Sequence, residues 1–374
     1  MGLLSRRALN RSLLDRQLLL RRSSLTVTQT LEHLVGMQAQ VPEAAYIGLW
    51  TRLENFMHDD LAQMLLDRRA VRMALMRSTI HLTTEQDALR LRPLVQPVLD
   101  RDLYKNSTHA KGITGLDMGD VVAYGRALLE EAPRTIKEIG ELMNHRWPEH
   151  PPSSLAYSLR NLLPLVQVPP RGIWGVGGQT RCTTATHWIG RSLNDNTTLG
   201  EMIVRYLEAF GPATTQDMQT WSGLTKLKEV VEGLRPNLLV YRDEDGQELF
   251  DVPEAPQPDS DTPAPPRFLP KYDNVLASHA NRTRIIADQH RKLVMMKNGM
   301  KATFLLDGFV CGTWKIVPER SSATLVVEPF GKLNLEEKNA LTEEGMKLLQ
   351  FAAVEAAVHD IQFASETEGR QTIA

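Results

Sequence analysis

Two glutamines, Gln38 and Gln40, stand one residue apart in VGMQAQVPE, between an apolar helical run and Pro42. A primary amide does not titrate near neutral pH, so the pair offers no acid–base chemistry. It offers hydrogen-bond donors and acceptors instead. Alternation along an extended chain puts both amides on one side, facing a common space. Residue types alone leave two readings open. The amides satisfy backbone groups where a helix ends, or they hold a water molecule.

A second group lies in YDNVLASHANRTRI (272–285), which gathers Asp273, Asn274, His279, Asn281, Arg282 and Arg284 between apolar residues. Arginine and asparagine suit phosphates and base edges, and a histidine can reach a minor groove. A hydrogen-bonded loop stitched to a core has the same composition. In RSTIHL (77–82), read as a strand, Arg77, Thr79 and His81 alternate to one face. That suits DNA contact or a buried Arg–His pair equally. No phosphate loop, HExxH or GxSxG occurs, and GVGG (175–178) reads as a turn.

These residues need elements to position them, and one pattern recurs. TTLGEMIVRYLEAFG, ATTQDMQTWSGL and TKLKEVVEGL read as three capped helices. NLLVYRDEDGQELFDV follows as a hairpin. Three helices and a hairpin are the order of a winged helix-turn-helix. The order repeats in GDVVAYGRALLEEAP, TIKEIGELMNHRW, SSLAYSLRNLLPLVQV and a wing-like strand in PPRGIWGVGG. A looser copy opens with ALNRSLLDRQLLLRR and TVTQTLEHLVG, continues near AYIGLWTRLENF, and ends in one strand, VRMALMRSTIHLTT. Residues 253–270, with seven prolines, read as a linker or surface loop. The remainder predicts strands around Asn-Gly and Asp-Gly turns, then two closing helices near LNLEEKNAL and TEEGMKLLQFAAVEAAV. The expected fold class is α+β. Units 1–115, 116–195 and 196–255 are winged helices, and 256–374 is a β-rich, barrel-like domain.

Charge is segregated within a net charge of −2. The first 80 residues hold 11 arginines, no lysine and 7 acids; residues 267–301 hold eight Lys or Arg against two Asp; residues 241–262 hold eight acids and one arginine. A near-neutral total can therefore conceal basic surfaces. No apolar stretch approaches the roughly 20 residues of a membrane span. Cys182 and Cys311, with no CxxC, fit a reducing cytoplasm and argue against a zinc or disulfide framework. A cytoplasmic protein without metal or organic cofactor is expected.

LEHLVGMQAQVPEAAYIGLWTRLENF, VRMALMRSTIHL and KYDNVLASHANRTRI, in that order, resemble the winged-helix DNA glycosylases of the AlkZ type. These are bacterial repair enzymes linked to self-resistance in producers of alkylating antibiotics such as azinomycin. The resemblance covers essentially the whole chain. It implies a C-shaped clamp of three winged-helix units plus a β-rich domain, acting as a monomer on double-stranded DNA with alkylated or crosslinked purines. It implies that Gln38 and Gln40 are the family's catalytic Gln-x-Gln, where the related YcaQ branch has Gln-x-Asp. It also makes His279, Asn281 and Arg282 candidates for entering DNA, with Arg284, Arg77 and His81 as further DNA-binding candidates. The expected activity is hydrolysis of the glycosidic bond of N7-alkylguanine, including interstrand crosslinks. A winged-helix regulator without activity, and a protein that shields lesions without cleaving them, remain as alternatives.

Overall fold

The computed structural model describes residues 2–194, 196–296 and 299–364. One element order occurs three times: helix, short strand, helix, helix, strand, strand. The first runs from helix Val27–His33 through strand Met37–Gln38, helices Pro42–Trp50 and His58–Leu66, and strands Ala70–Ala74 and Ile80–Thr84. The second runs from helix Met118–Glu131 through strand Arg134–Thr135 and helices Ile136–Arg146 and Pro152–Leu162 to strands Leu165–Val168 and Arg181–Thr184. In both, the short strand pairs with the last one. In the third, helix Leu199–Phe210 is followed by a single bridge at Ala213, helices Thr215–Ser222 and Lys228–Leu234, and strands Leu239–Asp243 and Glu248–Asp251. Thr26, Thr135, Thr198 and Thr214 each form a reciprocal capping box. The threonine cap expected for TKLKEVVEGL is not formed: helix Lys228–Leu234 starts after Leu227, which makes no side-chain bond.

Pairing of Arg72 with Gln167 and Met73 with Val166 joins the first two sets into one six-stranded sheet. The C-terminal part is an open five-stranded sheet rather than a barrel. Strand Arg267–Leu269 lies at one edge and Val358–Phe363 at the other, with Thr303–Leu306, Phe309–Pro318 and Ser322–Pro329 between. A hairpin, Met295–Met296 with Gly299–Met300, stands apart from it. No described helix is long and apolar enough to cross a membrane.

Four expectations change. VRMALMRSTIHLTT is not one strand but a hairpin, because Arg77 and Ser78 turn the chain with φ of 55° and 59°. PPRGIWGVGG holds no strand; it is the loop between Leu165–Val168 and Arg181–Thr184. The closing helices are one, Leu335–Ala352: Asn334 caps its start, and Gly345 sits where a Cβ would meet Leu325 Cδ2 at 2.7 Å. Gly345 thus serves close packing rather than a stop. Helix Arg6–Arg16, expected to open the first copy, packs instead on helix Leu199–Phe210. There Arg16 forms a fully buried two-pronged pair with Asp251 at 2.7 and 2.8 Å.

One apolar core runs from Leu13 and Leu14 through Tyr206, Phe210 and Trp221 to Val275 and Ile285. Another joins Leu31, Tyr46 and Leu49 to Phe268, Trp314 and Leu348. Residues 268–286 contribute to both, which brings that stretch beside the glutamines.

Candidate active site

Met37 and Gln38 form an edge strand opposite Leu82 and His81. Its outer side is closed by one side chain. Asn274 donates Nδ2–H to the Gly36 carbonyl (2.9 Å), and its Oδ1 accepts from the Gln38 backbone N–H (3.3 Å). A single amide therefore satisfies two backbone groups that another strand would otherwise pair. Asn274 is placed by Asp273, whose two oxygens accept from Arg52 at 2.8 Å each, with both side chains fully buried.

Arg77 holds the Gln38 side chain. Gly223, at φ +80°, lies under the turn; a Cβ there would come within 3.0 Å of the Arg77 Cα and 3.1 Å of its nitrogen. From this seat Arg77 Nη1 donates to the Trp221 carbonyl, near the C-terminal end of helix Thr215–Ser222. Its Nη2 donates to Gln38 Oε1 at 2.7 Å. A guanidinium only donates, so the Gln38 atom it meets is the oxygen. The same argument orients Gln40, whose Oε1 accepts from the Ile80 N–H at 3.1 Å. Among the described residues neither amide NH₂ meets a protein acceptor. Between the two, Ala39 donates to the Ile80 carbonyl (2.8 Å) and accepts from Arg72 Nη2 (2.8 Å). Gln38 is half-buried and Gln40 exposed.

Charge at the site is carried by arginine. Burial, then the neighbouring Arg282, push Arg77 down to about 10, so it stays charged at neutral pH. Arg282 donates Nε–H to the His279 carbonyl (3.4 Å) and Nη1–H to Met295 Sδ (2.9 Å), at the foot of the Met295–Met300 hairpin. Among the described residues neither Arg77 nor Arg282 has a carboxylate within ion-pair distance. Behind Gln38, burial and Arg77 push the His81 imidazole down to about 3; it is neutral and donates Nδ1–H to the Thr79 carbonyl (3.0 Å).

The structure therefore draws Gln38, Gln40 and Arg77 together. Arg282 is on a segment that meets the same helix, Thr215–Ser222, where Ala280 N–H donates to Asp217 (2.8 Å). Three other candidates are turned inward. His81 is 2% exposed. His279, 1% exposed, accepts from the Ser278 hydroxyl at Nδ1 (2.9 Å) and donates from Nε2 to the Phe210 carbonyl (3.2 Å). Arg284, 6% exposed, donates to the Pro212 carbonyl (2.8 Å) and lies 4.0 Å from Asp217. Direct DNA contact by these three side chains is accordingly set aside, because each is buried and bonded to protein groups. Asn281 is exposed, and its Oδ1 accepts from the Thr283 N–H and hydroxyl in a local turn. Sequence reasoning gathered Asn274 with the other polar residues of 272–285 but did not join it to the glutamines, and it did not single out Arg72 or the Trp221 carbonyl. The partner of Asn274 lies 238 residues away, so no local spacing signals it. Among the described residues no group of three His, Cys, Asp or Glu converges as metal ligands.

No curated protein matches significantly. The structure is similar to the DNA glycosylase AlkZ of Streptomyces sahachiroi, with a TM-score of 0.79 and 20% identity over 97% of this chain and 100% of that one; at that identity the likeness shows the fold. Residues 31–351 match the family described as DNA glycosylase AlkZ-like, which does not favour the regulator reading. The match spans both glutamines, the Arg77 turn and the Asn274 segment, and the chain belongs to the AlkZ-like DNA glycosylase family.

Proposed function

We propose that this glycosylase hydrolyses the bond between C1′ and N9 of N7-alkylguanine in double-stranded DNA, and that Gln38 and Gln40 are its catalytic pair. The observation that carries the reading is the state of the two amides. Each oxygen is pinned by a protein donor and keeps one acceptor position, while neither NH₂ group meets an acceptor among the described residues. Two such oxygens suffice to take the O–H groups of one water and leave its lone pairs for C1′.

The chemistry needs little more. Alkylation at N7 makes the base a cation, so when the C1′–N9 bond breaks its electron pair neutralises the leaving base without a proton from the enzyme. Water adds to C1′ of the sugar cation and loses its proton to solvent. The products are an abasic site and free N7-alkylguanine. Positioning and electrostatics carry such a step. An unmodified guanine, neutral and a poor leaving group, is left intact.

The repeated element order, with its paired first and last strands, supports reading the three sets as winged-helix units. In that reading the units 1–115, 116–195 and 196–255, with the sheet of 256–374, form a C-shaped clamp working as a cytoplasmic monomer. Asn281 and Arg282, beside the Met295–Met300 hairpin, are its DNA contacts. A clamp that reaches the lesion from one groove need not flip a base tethered to the opposite strand. Interstrand crosslinks are therefore within its substrate range, and self-resistance to an alkylating antibiotic within its biological one.

The test follows free base release from duplex DNA carrying N7-methylguanine, against spontaneous depurination of the same DNA. Wild-type release should stand well above that baseline and fall by about 100-fold or more in Gln38→Ala and Gln40→Ala. Baseline release by the wild type, from this duplex and from a crosslinked one, would sink the proposal.

A further inference from the structure

Many arginines buried elsewhere are paired with acids: Arg16 meets Asp251, Arg52 meets Asp273 and Arg267 meets Glu344, and half-buried Arg205 meets Asp87. Buried Arg92 is held instead by Gln96 and the Asn161 carbonyl. Around the glutamines three arginines without an acid are gathered. Arg77, Arg282 and Arg72 have no carboxylate within ion-pair distance among the described residues. Two of them touch the Gln38–Ala39–Gln40 segment directly: Arg77 at the Gln38 amide and Arg72 at the Ala39 carbonyl. The surplus positive charge is placed where the reaction develops a sugar cation. Like charges there raise the barrier unless an anion arrives with the substrate.

DNA brings one. Every deoxyribose has a phosphodiester on each side, and arginine is the side chain best matched to phosphate oxygens. Arg77 has one N–H of each Nη committed to protein, and Arg282 Nη2 meets no protein acceptor among the described residues. Both are half-buried, so a phosphate held there sits partly out of water, where its charge acts more strongly.

We propose that Arg77 and Arg282 seat one phosphodiester flanking the lesion nucleotide, and that this phosphate supplies the negative charge opposite the sugar cation that no carboxylate of the site provides. The inference rests on Gln38 and Gln40 being the catalytic pair. Arg77 then has two duties, orienting Gln38 and holding the phosphate. Arg282 has the second alone.

The experiment uses full-length protein in excess over N7-methylguanine duplexes in which the phosphates around the lesion are replaced, one at a time, by uncharged methylphosphonates. Spontaneous depurination of each duplex is the baseline. One position should slow single-turnover release by about 10- to 100-fold, the range of one lost charge interaction in a half-buried site. In Arg282→Gln the same replacement should cost clearly less than in the wild type, because one of the phosphate's two partners is already gone. Uniform small effects at every position would overturn the seat. So would losses from Arg282→Gln and the methylphosphonate that multiply in full; the wild-type measurement stands even if the variant folds poorly. If the unsubstituted duplex releases no base, the catalytic reading itself fails and the seat falls with it.

Discussion

The junction between the short strand and the helix after it occurs in each repeat, and the first repeat builds it differently from the second. In the second, Arg134–Thr135 runs straight into helix Ile136–Arg146. The Thr135 hydroxyl accepts from the Glu138 N–H (3.1 Å), and Glu138 reaches back to the Thr135 N–H (2.8 Å) and out to Arg181. In the first, three residues separate strand Met37–Gln38 from helix Pro42–Trp50, and Val41 at the cap position makes no side-chain bond. A missing cap forfeits about 1 kcal/mol. Long-range contacts stand in its place: Ile80 on Ala39 and Gln40, Arg72 on the Ala39 carbonyl, Arg77 on Gln38, and Asn274 on Gly36 and Gln38. One sequence position is a local stop in the second repeat and an open, tertiary-held segment in the first. Local order was given up where two amides are held free of the helix end.

The comparison breaks most readily at Asn274. Asn274→Ala leaves the buried Gly36 carbonyl unsatisfied, which should cost roughly 1–3 kcal/mol in denaturant unfolding. Loosening the strand should slow base release from N7-methylguanine DNA by about 10-fold; an unchanged rate would mean that the strand edge does not position Gln38. Thr135→Ala sharpens the contrast from the other side. It should lower stability by about 1 kcal/mol while release stays within about twofold of wild type, because that cap serves only its own helix. A loss of activity there would erase the distinction between the junctions.

The smallest effect is expected from pH. The two titratable groups against Gln38 keep their charge state near neutrality: His81 is held at about 3 and Arg77 at about 10. Release above spontaneous depurination should be flat between pH 7 and 9, and a limb centred near 6.5 would point to an imidazole acting in the reaction. Stability behaves differently. Burial pushes His81 and, with Arg284, His279 down to about 3, so between pH 6.5 and 3 the unfolded chain binds protons that the folded chain refuses. Stability therefore rises with pH across that window and is lost as pH falls through it. Acid titration of the unfolding midpoint checks the sign.

Much of the fold was legible because it depends on neighbours a few residues apart. The Thr caps of the second and third repeats, the Asp-Gly hairpin at 307–308 and the amphipathic run of Leu199–Phe210 all announce themselves within a turn or two. The hairpin at Arg77 did not. Its turn has neither Gly nor Asn, and it is held in the left-handed region by packing on Gly223 and by bonds to Trp221 and Gln38. Reading RSTIHL as a strand put Arg77 and His81 on one face; the turn sends Arg77 to the glutamine and His81 into the interior. In 272–285 the residue types were visible, but nothing local distinguished Asn274, which bonds the glutamine strand, from His279, which is sealed beneath it.

Sequence by itself determined the recurring helix–helix–helix–hairpin order, the family, and the presence of two amides where another chemistry would use an acid. The family rests on the resemblance of three sequence blocks, and the other features on periodicity, capping and residue type, which act over one to four positions along the chain. Tertiary structure decided which amide atom faces which donor, which candidate cations remain open, and that those beside Gln38 lack an acid. These are contacts between segments as far apart as 39 and 238 residues, and only closure of the long loops between them brings such groups into reach.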